Sequence, residues 1–316
     1  MSCVQAAGGE DVANSPSVRQ LVFPKQFSLG KIFVYYPVNS EAGLLDARAV
    51  AAARGRFVGD AQGTLSLKLA KNARLYLFPS YKLIEDPLVL RKLDPNIFDC
   101  VAFETTAILV AINKTIEPIS HLTGLQRLEM DAADLTDDDI KPIKALINLE
   151  SLSLVGNQIH GTCFRDLASL TKLRSLNVTM NPLVPSAFVE LAKFKNLEKL
   201  EISQCGVNDG ALVALTQLAN LRHLSIGQGQ ISSKGLNLVK DLKKLQYLAV
   251  NGTKLSVKDL CTLQGSSIAK LVLPDHQYSN QDMQALKKAL PAVKFDIQGK
   301  SRPVDSDTQT IFGPIH

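Results

Sequence analysis

The chain has 316 residues, of which 46% are hydrophobic and 21% are charged, and its net charge is +5. This composition is typical of a globular protein and excludes wholesale disorder, a collagen-like fibre and a low-complexity chain. The longest apolar stretch, residues 100–112, is interrupted by Glu104 and is too short to cross a bilayer, so no membrane insertion is expected. Aromatic content is 6% without any Trp, which argues against a base-stacking surface and predicts no nucleic-acid binding.

Residue types that carry catalysis or bind metals do not form recognisable motifs. The chain has no GxxxxGK[ST], GxSxG or GxGxxG motif, and its five histidines form no HxxxH or HExxH pair. The cysteines are widely spaced and contain no CxxC pair; they are Cys3, Cys100, Cys163, Cys205 and Cys261. The sequence therefore predicts a protein that is not an enzyme and that holds no cofactor, metal or disulfide framework, in a reducing compartment.

In chain order, the first predicted segments are a tail and a cover. Residues 1–20 are predicted to be a disordered N-terminal segment, and residues 21–95 a capping domain. The elements predicted in that domain are a strand, a short Ala-rich helix and a β-hairpin: Lys31–Tyr36, Leu44–Arg54, and Thr64–Leu69 with Arg74–Phe78. A cover is needed because the repeats that follow would otherwise leave an apolar end bare.

Residues 96–300 contain a repeated pattern. Apolar anchors recur at intervals of 24 residues, with a last interval of 23 and a first of 27: Phe98, Leu125, Leu149, Leu173, Leu197, Leu221, Leu245 and Ile268. With the anchor as position 1, positions 4, 6 and 11 are apolar or aromatic in all eight units. Position 9 is Asn, Cys or Thr in five units: Thr106, Asn157, Asn181, Cys205 and Thr253. Ala133 and Gly229 interrupt this column, so the turn carbonyls there need other donors.

The second half of each unit predicts a helix of two to three turns. Apolar residues recur at positions 16 and 19, which is the spacing of one helix face. A capping residue stands at position 12 in five units: Thr136, Asn208, Ser232, Ser256 and Ser279. His160 and Val184 depart from this pattern, although Pro185 supplies a helix start. A terminal strand is predicted at Ala292, Phe295 and Ile297, and residues 301–316 are predicted to be a flexible C-terminal tail.

The pattern L-x-x-L-x-L-x-x-N/C/T-x-L resembles the leucine-rich repeat family over about 200 residues. Its helical half is similar to ribonuclease-inhibitor-like and bacterial T-D-x-G-L repeats, with the best local matches at Leu135–Asp137 and Val207–Leu212. The resemblance implies an α/β fold, a right-handed leucine-rich-repeat solenoid or horseshoe with a parallel concave sheet and convex helices. The N-terminal β-rich capping domain would precede it.

The predicted binding surface consists of strand positions 3, 5 and 7, which face solvent if positions 4 and 6 face the core. Its charged, aromatic and amide side chains are the candidate protein-binding residues: Arg127, Glu129, Asp131, Asn177, Lys199, Glu201, His223, Tyr247, Asn251 and Lys270. His223 is interpreted as a surface residue rather than a catalytic base, because Glu201 is the only acid that the repeat places near it.

A repeat scaffold without catalytic motifs predicts a protein–protein interaction scaffold that binds a protein partner on its concave surface. Residues 197–300 carry 13 Lys and Arg against 8 Asp and Glu, which favours a partner with an acidic patch. The alternative is a surface- or envelope-anchored structural or adhesion lipoprotein, because Met1–Cys3 precedes an Ala- and Gly-containing stretch and could remain from a lipid-anchored N-terminus. We expect a cytoplasmic monomer, or under the alternative a secreted or lipid-anchored surface protein.

Overall fold

A computed structural model describes residues 17–35, 55–103, 112–275 and 277–298. Residues 1–154 form one compact unit and residues 155–316 a second. Several predicted features lie outside the described residues: the Leu44–Arg54 helix, Tyr36, Thr106 and the tail at 301–316.

The first unit is rich in strands. Within its described residues they are β1 (Ser17–Val22), β2 (Gly30–Tyr35), β3 (Arg56–Asp60), β4 (Thr64–Leu69), β5 (Arg74–Pro79), β6 (Cys100–Ala102), β7 (Arg127–Glu129) and β8 (Ser151–Ser153). Strands β1 and β4 pair antiparallel, and the others lie in the order β3, β2, β5, β6, β7, β8. Strand β2 is antiparallel to β3 and β5, whereas the pairs from β5 to β8 are parallel.

The β-hairpin predicted from Thr64–Leu69 and Arg74–Phe78 is wrong. Both segments are strands, but β4 pairs with β1, whereas β5 lies between β2 and β6. Strand β5 is buried on both faces at Leu75, Tyr76 and Leu77, and so suits a position inside a sheet. Strand β1, the actual partner of β4, begins at Ser17. Four of its residues therefore lie in the segment that the sequence predicted to be disordered.

The cap is joined to the first repeat by packing and by polar contacts. The ring of Phe23 stacks on that of Phe98, with centroids 5.9 Å apart. The Asp99 carboxylate accepts hydrogen bonds from the Leu75 amide at 2.8 Å and from Arg74 Nη1 at 3.1 Å. These contacts lie within the first unit and cover the apolar end of its first repeat.

Helices in the first unit are short. They are α1 (Tyr81–Glu85), α2 (Asn113–Ile119) and α3 (Asp137–Ile140), with 3-10 turns at Pro87–Lys92 and Lys141–Ala145. The two-to-three-turn helix predicted after Thr136 is therefore too long as an α-helix. Pro142 explains this difference, because it has no amide hydrogen and so interrupts the α-helical hydrogen-bond ladder, although Lys141 before it keeps helical backbone angles.

The second unit repeats one strand and one helix. Its strands are β9 (Ser175–Asn177), β10 (Lys199–Glu201), β11 (His223–Ser225), β12 (Tyr247–Ala249), β13 (Lys270–Pro274) and β14 (Lys294–Gln298). Its helices are α4 (Phe164–Leu167), α5 (Pro185–Leu191), α6 (Asp209–Leu215), α7 (Ser233–Leu238), α8 (Val257–Cys261) and α9 (Asn280–Ala289), with a 3-10 turn at Val239–Asp241. Strands β9 to β14 pair in parallel, and β9 to β13 each begin two residues after an anchor, which confirms the predicted spacing.

The predicted inward columns are buried. Leu200 and Ile202, at positions 4 and 6 of a central unit, have no exposed surface. The same two columns are buried in the other units: Val101, Phe103, Leu128, Met130, Leu152, Leu154, Leu176, Val178, Leu224, Ile226, Leu248, Val250, Leu271 and Leu273. Each repeat therefore contributes apolar side chains to a core between strands and helices. Burial of these side chains is the main stabilising contribution in such a fold.

Polar residues at the turns satisfy backbone groups as predicted. In the position-9 column, Asn181 donates to the Val178 carbonyl at 2.8 Å and Thr253 to that of Val250 at 2.7 Å. At the Gly229 interruption the glycine amide itself donates to Ile226, at 3.2 Å. Four of the five predicted caps accept a first-turn amide: Asn208, Ser232, Ser256 and Ser279. At the fifth, the amide and the hydroxyl of Thr136 donate to the Asp139 carboxylate.

Candidate functional site

The parallel strands of the second unit align their solvent-facing side chains into rows. Position 3 aligns Lys199 with His223, Tyr247 and Lys270, and the row continues to Lys294. Position 5 aligns Glu201 with Ser225, Ala249, Val272 and Asp296. We call the solvent-facing side of strands β9 to β14 the strand face. The constant register brings residues 23 or 24 apart in sequence onto neighbouring strands.

The centre of the strand face is an aromatic stack. The rings of His223 and Tyr247 lie 3.8 Å apart between centroids and are inclined by only 8°. Both side chains are partly exposed, and 24% of the His223 side chain is accessible. We call this pair the His–Tyr ridge. Two rings held in contact have few other rotamers available, so the ridge is already ordered before any partner binds.

A carboxylate holds the His223 end of the ridge. Glu201 Oε1 lies 3.5 Å from His223 Nε2 and 3.3 Å from Lys199 Nζ. At 3.5 Å the His223 contact is an electrostatic pair rather than a well-formed hydrogen bond. Among the described residues Nε2 has no hydrogen-bond partner and is buried. Burial alone would raise the pKa of Glu201, but His223 and Lys199 outweigh it and the pKa is lowered, so the carboxylate is charged at neutral pH.

A lysine lies over the other end. Lys270 Nζ is 5.6 Å from the centroid of the Tyr247 ring, within the range of a cation–π contact, and 2.7 Å from Asp296 Oδ2. Burial, followed by the charges of Glu201 and Asp296, raises the pKa of Tyr247, so its phenol stays protonated. Lys199 and Lys270 are thus both paired with carboxylates. The net positive charge of this cluster is therefore smaller than the lysines of the position-3 column alone would give.

Beside the ridge, the strand face is lined by small residues. Ala249 and Gly227 are buried, and Ser203 Oγ and Ser225 Oγ share a hydrogen bond of 2.8 Å. The Gly227 amide donates to Ser203 Oγ at 2.9 Å. A Cβ at Gly227 would come within 2.9 Å of the side chain of Asn251, so the glycine allows Asn251 to lie across it. Small residues therefore lie beside the ridge, with Asn251 across Gly227.

The other predicted residues lie apart from this cluster. Asn177 accepts the Thr179 amide at 3.0 Å and so serves its own turn. Arg127, Glu129 and Asp131 belong to the first unit. There Glu129 is only 4% exposed, and Asp131 accepts a 2.6 Å hydrogen bond from Ser153. The predicted solvent-facing position of Glu129 is therefore not an accessible one.

Sequence reasoning missed two residues of the strand face, Lys294 and Asp296. The terminal strand was predicted from its apolar residues, and its charged positions were not read. A signal was present, because 24 residues separate Lys270 from Lys294, which is the repeat length. Extending the two surface columns by one unit would have identified both residues and the partner of Lys270.

The described residues form neither a membrane-spanning helix nor a cluster of metal ligands. In the described ranges no helix combines the length and apolar character that a membrane span requires. No three His, Cys, Asp or Glu side chains in those ranges are placed to hold a metal ion. Cys205 is buried, as predicted, and burial raises the pKa of its thiol to about 11. It donates to the Val178 carbonyl at 3.1 Å, as a residue of the turn ladder.

Comparison with known proteins identifies structural neighbours. No protein-family model and no curated protein sequence matches the chain. Among solved structures it is similar to an internalin, InlF, from Listeria monocytogenes, with 29% identity and a TM-score of 0.51 over 67% of this chain. This chain spans 57% of the length of that internalin structure. A second internalin, InlC2 from the same organism, matches 71% of this chain and 88% of its own, with 19% identity and a TM-score of 0.43. Both neighbours are leucine-rich repeat proteins.

Proposed function

We propose that this chain, a leucine-rich repeat protein by its sequence, its fold and its structural neighbours, is a non-enzymatic interaction module that binds a protein partner on the strand face of its second unit. The observation that carries the proposal is the His–Tyr ridge. It is an ordered, partly exposed aromatic pair in a surface that otherwise carries mainly small or charged side chains.

The physical argument concerns the cost of binding. Aromatic side chains dominate binding energy in protein interfaces because they offer a large contact area for few rotatable bonds. Stacking of His223 on Tyr247 removes much of their remaining freedom before a partner arrives. The neighbouring position-5 side chains, Ser225 and Ala249, are small and so add little bulk beside the ridge.

The acidic character proposed for the partner does not rest on this cluster. Lys199 and Lys270 each have a carboxylate within 3.3 Å, so neither offers a full unpaired charge. It rests on the excess of 13 Lys and Arg over 8 Asp and Glu in residues 197–300. Such a long-range field increases the association rate more than the affinity, and its effect falls as salt rises.

One further point supports a non-enzymatic role, and a second bears on location. Within the described residues no hydroxyl or thiol is hydrogen-bonded to His223, so the base–nucleophile pair typical of acyl transfer is not formed there. Cys100 and Cys205 are buried thiols that form no disulfide with any described residue. Such thiols suit a reducing compartment, and we propose a cytoplasmic location on that basis.

The test uses three forms of the chain as baits for affinity purification followed by mass spectrometry: the wild type, the His223→Ala/Tyr247→Ala variant, and the Val213→Ala variant. Val213 is a matched control because it is 58% exposed and lies on helix α6, away from the strand face. We leave Lys199 unchanged, since a carboxylate there would face Glu201 and disturb the fold. A partner should be retained by the wild type and by Val213→Ala, and lost by the ridge variant.

Titration calorimetry with that purified partner then gives the magnitude. Loss of an aromatic hot spot costs about 2–4 kcal/mol, which corresponds to an affinity loss of roughly 30-fold to 1,000-fold. The proposal fails if the ridge variant binds with wild-type affinity. It also fails if Val213→Ala is the variant that loses the partner, since the binding surface would then be on the helices.

A further inference from the structure

The outer edge of β14 pairs with no strand among the described residues. The Lys294 amide donates to the Ala269 carbonyl at 2.8 Å, so the backbone groups of Lys294 face β13. Because these groups alternate along a strand, Phe295 and Ile297 direct theirs to the opposite side. Strand β14 is terminal in its sheet, and no described segment pairs with this side. An open row of amides and carbonyls is a template for another strand.

The apolar face of β14 is also incompletely covered. Phe295 and Ile297 continue the inward columns of Leu271 and Leu273, with which they are paired in register. Leu271 and Leu273 have no exposed surface, whereas Phe295 and Ile297 are only partly buried. The columns that are closed inside the repeats are therefore open at this end.

The charged face of the same strand carries one residue of each sign. Lys294 and Asp296 are both exposed and stand two residues apart. Asp296 already accepts Lys270 at 2.7 Å, but 53% of its side chain is accessible, which leaves room for a second cation. A strand with this pattern is complementary to its own reverse.

We propose that a second copy of this chain occupies the edge, and that two β14 strands pair antiparallel about a two-fold axis at Phe295. In this register Phe295 lies opposite Phe295 of the second copy and exchanges both backbone hydrogen bonds with it. Lys294 then lies opposite Asp296 of the second copy, in a non-hydrogen-bonded pair, where facing side chains are closest. On the apolar face Val293 meets Ile297, and the open columns close.

Neighbouring registers are less favourable. An axis at Val293 would place Lys294 opposite Ala292, and an axis at Ile297 would place Asp296 opposite Gln298, so the charge pairs would be lost. An axis at Lys294 or Asp296 would place like charges opposite each other and would use backbone groups that already face β13. The Phe295 register alone combines outward backbone groups, matched charges and apolar contact.

Charged residues on an edge strand can also serve to prevent pairing. A lysine prevents pairing when the residue opposite it is another lysine or an apolar side chain. Here the two-fold axis places each Lys294 opposite an Asp296, so the charges favour self-association. The isologous contact also closes, which limits the assembly to a dimer.

The dimer would enlarge the strand face. Strand β12, which carries Tyr247, is two strands from the edge, so the two copies of Tyr247 would be separated by five strand spacings, about 24 Å. A continuous sheet would then present two ridges to one partner or to two. The pairing itself does not depend on the proposed function.

The test is charge exchange, followed by sedimentation velocity at several concentrations. Wild type should dimerise, whereas Lys294→Glu and Asp296→Lys should each sediment as monomers, because each homodimer would contain two like-charge pairs. We expect the dissociation constant to rise at least about tenfold for each. An equimolar mixture of the two variants should form a heterodimer, since both cross-strand pairs are then of opposite sign. Lys234→Glu, an equal charge change on exposed helix α7, should leave the dimer intact.

A second measurement does not depend on charge. Lys294→Cys and Asp296→Cys should form an inter-copy disulfide when the two variants are mixed and oxidised, and neither should do so alone. Circular dichroism of every variant checks that the fold is kept. A wild type that is monomeric at its highest soluble concentration would overturn the proposal, as would charge variants that dimerise alone or a mixture that does not.

Discussion

At Gly235, local helix propensity and tertiary contacts predict opposite effects of an alanine substitution on stability. It lies inside helix α7, where replacement of glycine by alanine normally stabilises a helix by about 1 kcal/mol. A Cβ at this position, however, would lie 2.0 Å from Asp209 Oδ1 and 3.1 Å from Asp209 Cα. Asp209 accepts hydrogen bonds from the amide of Ser232, at 2.9 Å, and from its hydroxyl. Gly235→Ala would displace the carboxylate from both donors.

The magnitudes decide the sign. Loss of two hydrogen bonds to a partly exposed carboxylate costs about 2–3 kcal/mol, which exceeds the helical gain. We therefore expect Gly235→Ala to lower the free energy of unfolding by roughly 1–2 kcal/mol. In an Asp209→Ala background the same substitution should cost less than in the wild type, because the carboxylate is gone and only the 3.1 Å approach to the Cα of residue 209 remains. Urea titration of the four proteins gives the coupling energy, and Gly210→Ala in α6, whose Cβ would meet only Asn208 Oδ1 at 3.2 Å, is the matched control. A stabilising Gly235→Ala in the wild-type background would refute this reading of the contact.

Three further predictions follow from the same structure. Leu200→Ala should cost about 2–5 kcal/mol in urea titration because Leu200 has no exposed surface, whereas Val213→Ala, at a 58% exposed site, should stay within about 0.5 kcal/mol; a cost near 1 kcal/mol or less for Leu200 would contradict its place in the core. The hydrogen bond from the Ser256 hydroxyl lowers the pKa of Asp259 below 3.8. The stabilisation that the charged Asp259 contributes is therefore present above that pH and is lost as the pH falls through the folded-state pKa. Asp259→Asn should flatten this dependence of the free energy of unfolding on acid pH, and an unchanged dependence would exclude the Ser256–Asp259 cap as its origin. Removal of residues 1–95 would take β5 away from β6 and expose Phe98, so residues 96–316 should aggregate or bind a hydrophobic dye. A protein that does not aggregate, binds no dye and keeps the same melting temperature would show that the cap is dispensable.

The repeat made much of the fold predictable. Each unit lies mainly against its sequence neighbours, so a column such as Leu176, Leu200 and Leu224 carries both the register and the direction of burial. The caps were predictable for a related reason, since Ser256 and Asp259 satisfy each other's backbone within four residues. Strand starts and helix starts could therefore be placed from local patterns alone.

The cap was predicted less well because its pairing is not local. Strand β4 pairs with β1, whose residues lie about 40–50 positions earlier, and nothing in the β4 segment identifies that partner. Adjacent strands such as β4 and β5 are the usual hairpin candidates. Here β5 is buried on both faces and lies inside a sheet, so β4 and β5 do not form a hairpin. The same limit applies to Glu129, whose burial in the first unit depends on side chains around it and not on its repeat position.

The candidate surface depends on the core for its geometry. A one-residue shift of β12 would place Leu248 in solvent and Tyr247 among buried leucines, with its hydroxyl removed from water. The cost of exposing one leucine and burying an unpaired hydroxyl is several kcal/mol, since each contributes about 2 kcal/mol. Burial of Leu224 and Leu248 on one side therefore keeps His223 and Tyr247 aligned on the other. The aromatic stack needs no contact of its own to set its register, and positions 3, 5 and 7 can change in chemistry while the strands that carry them stay in place.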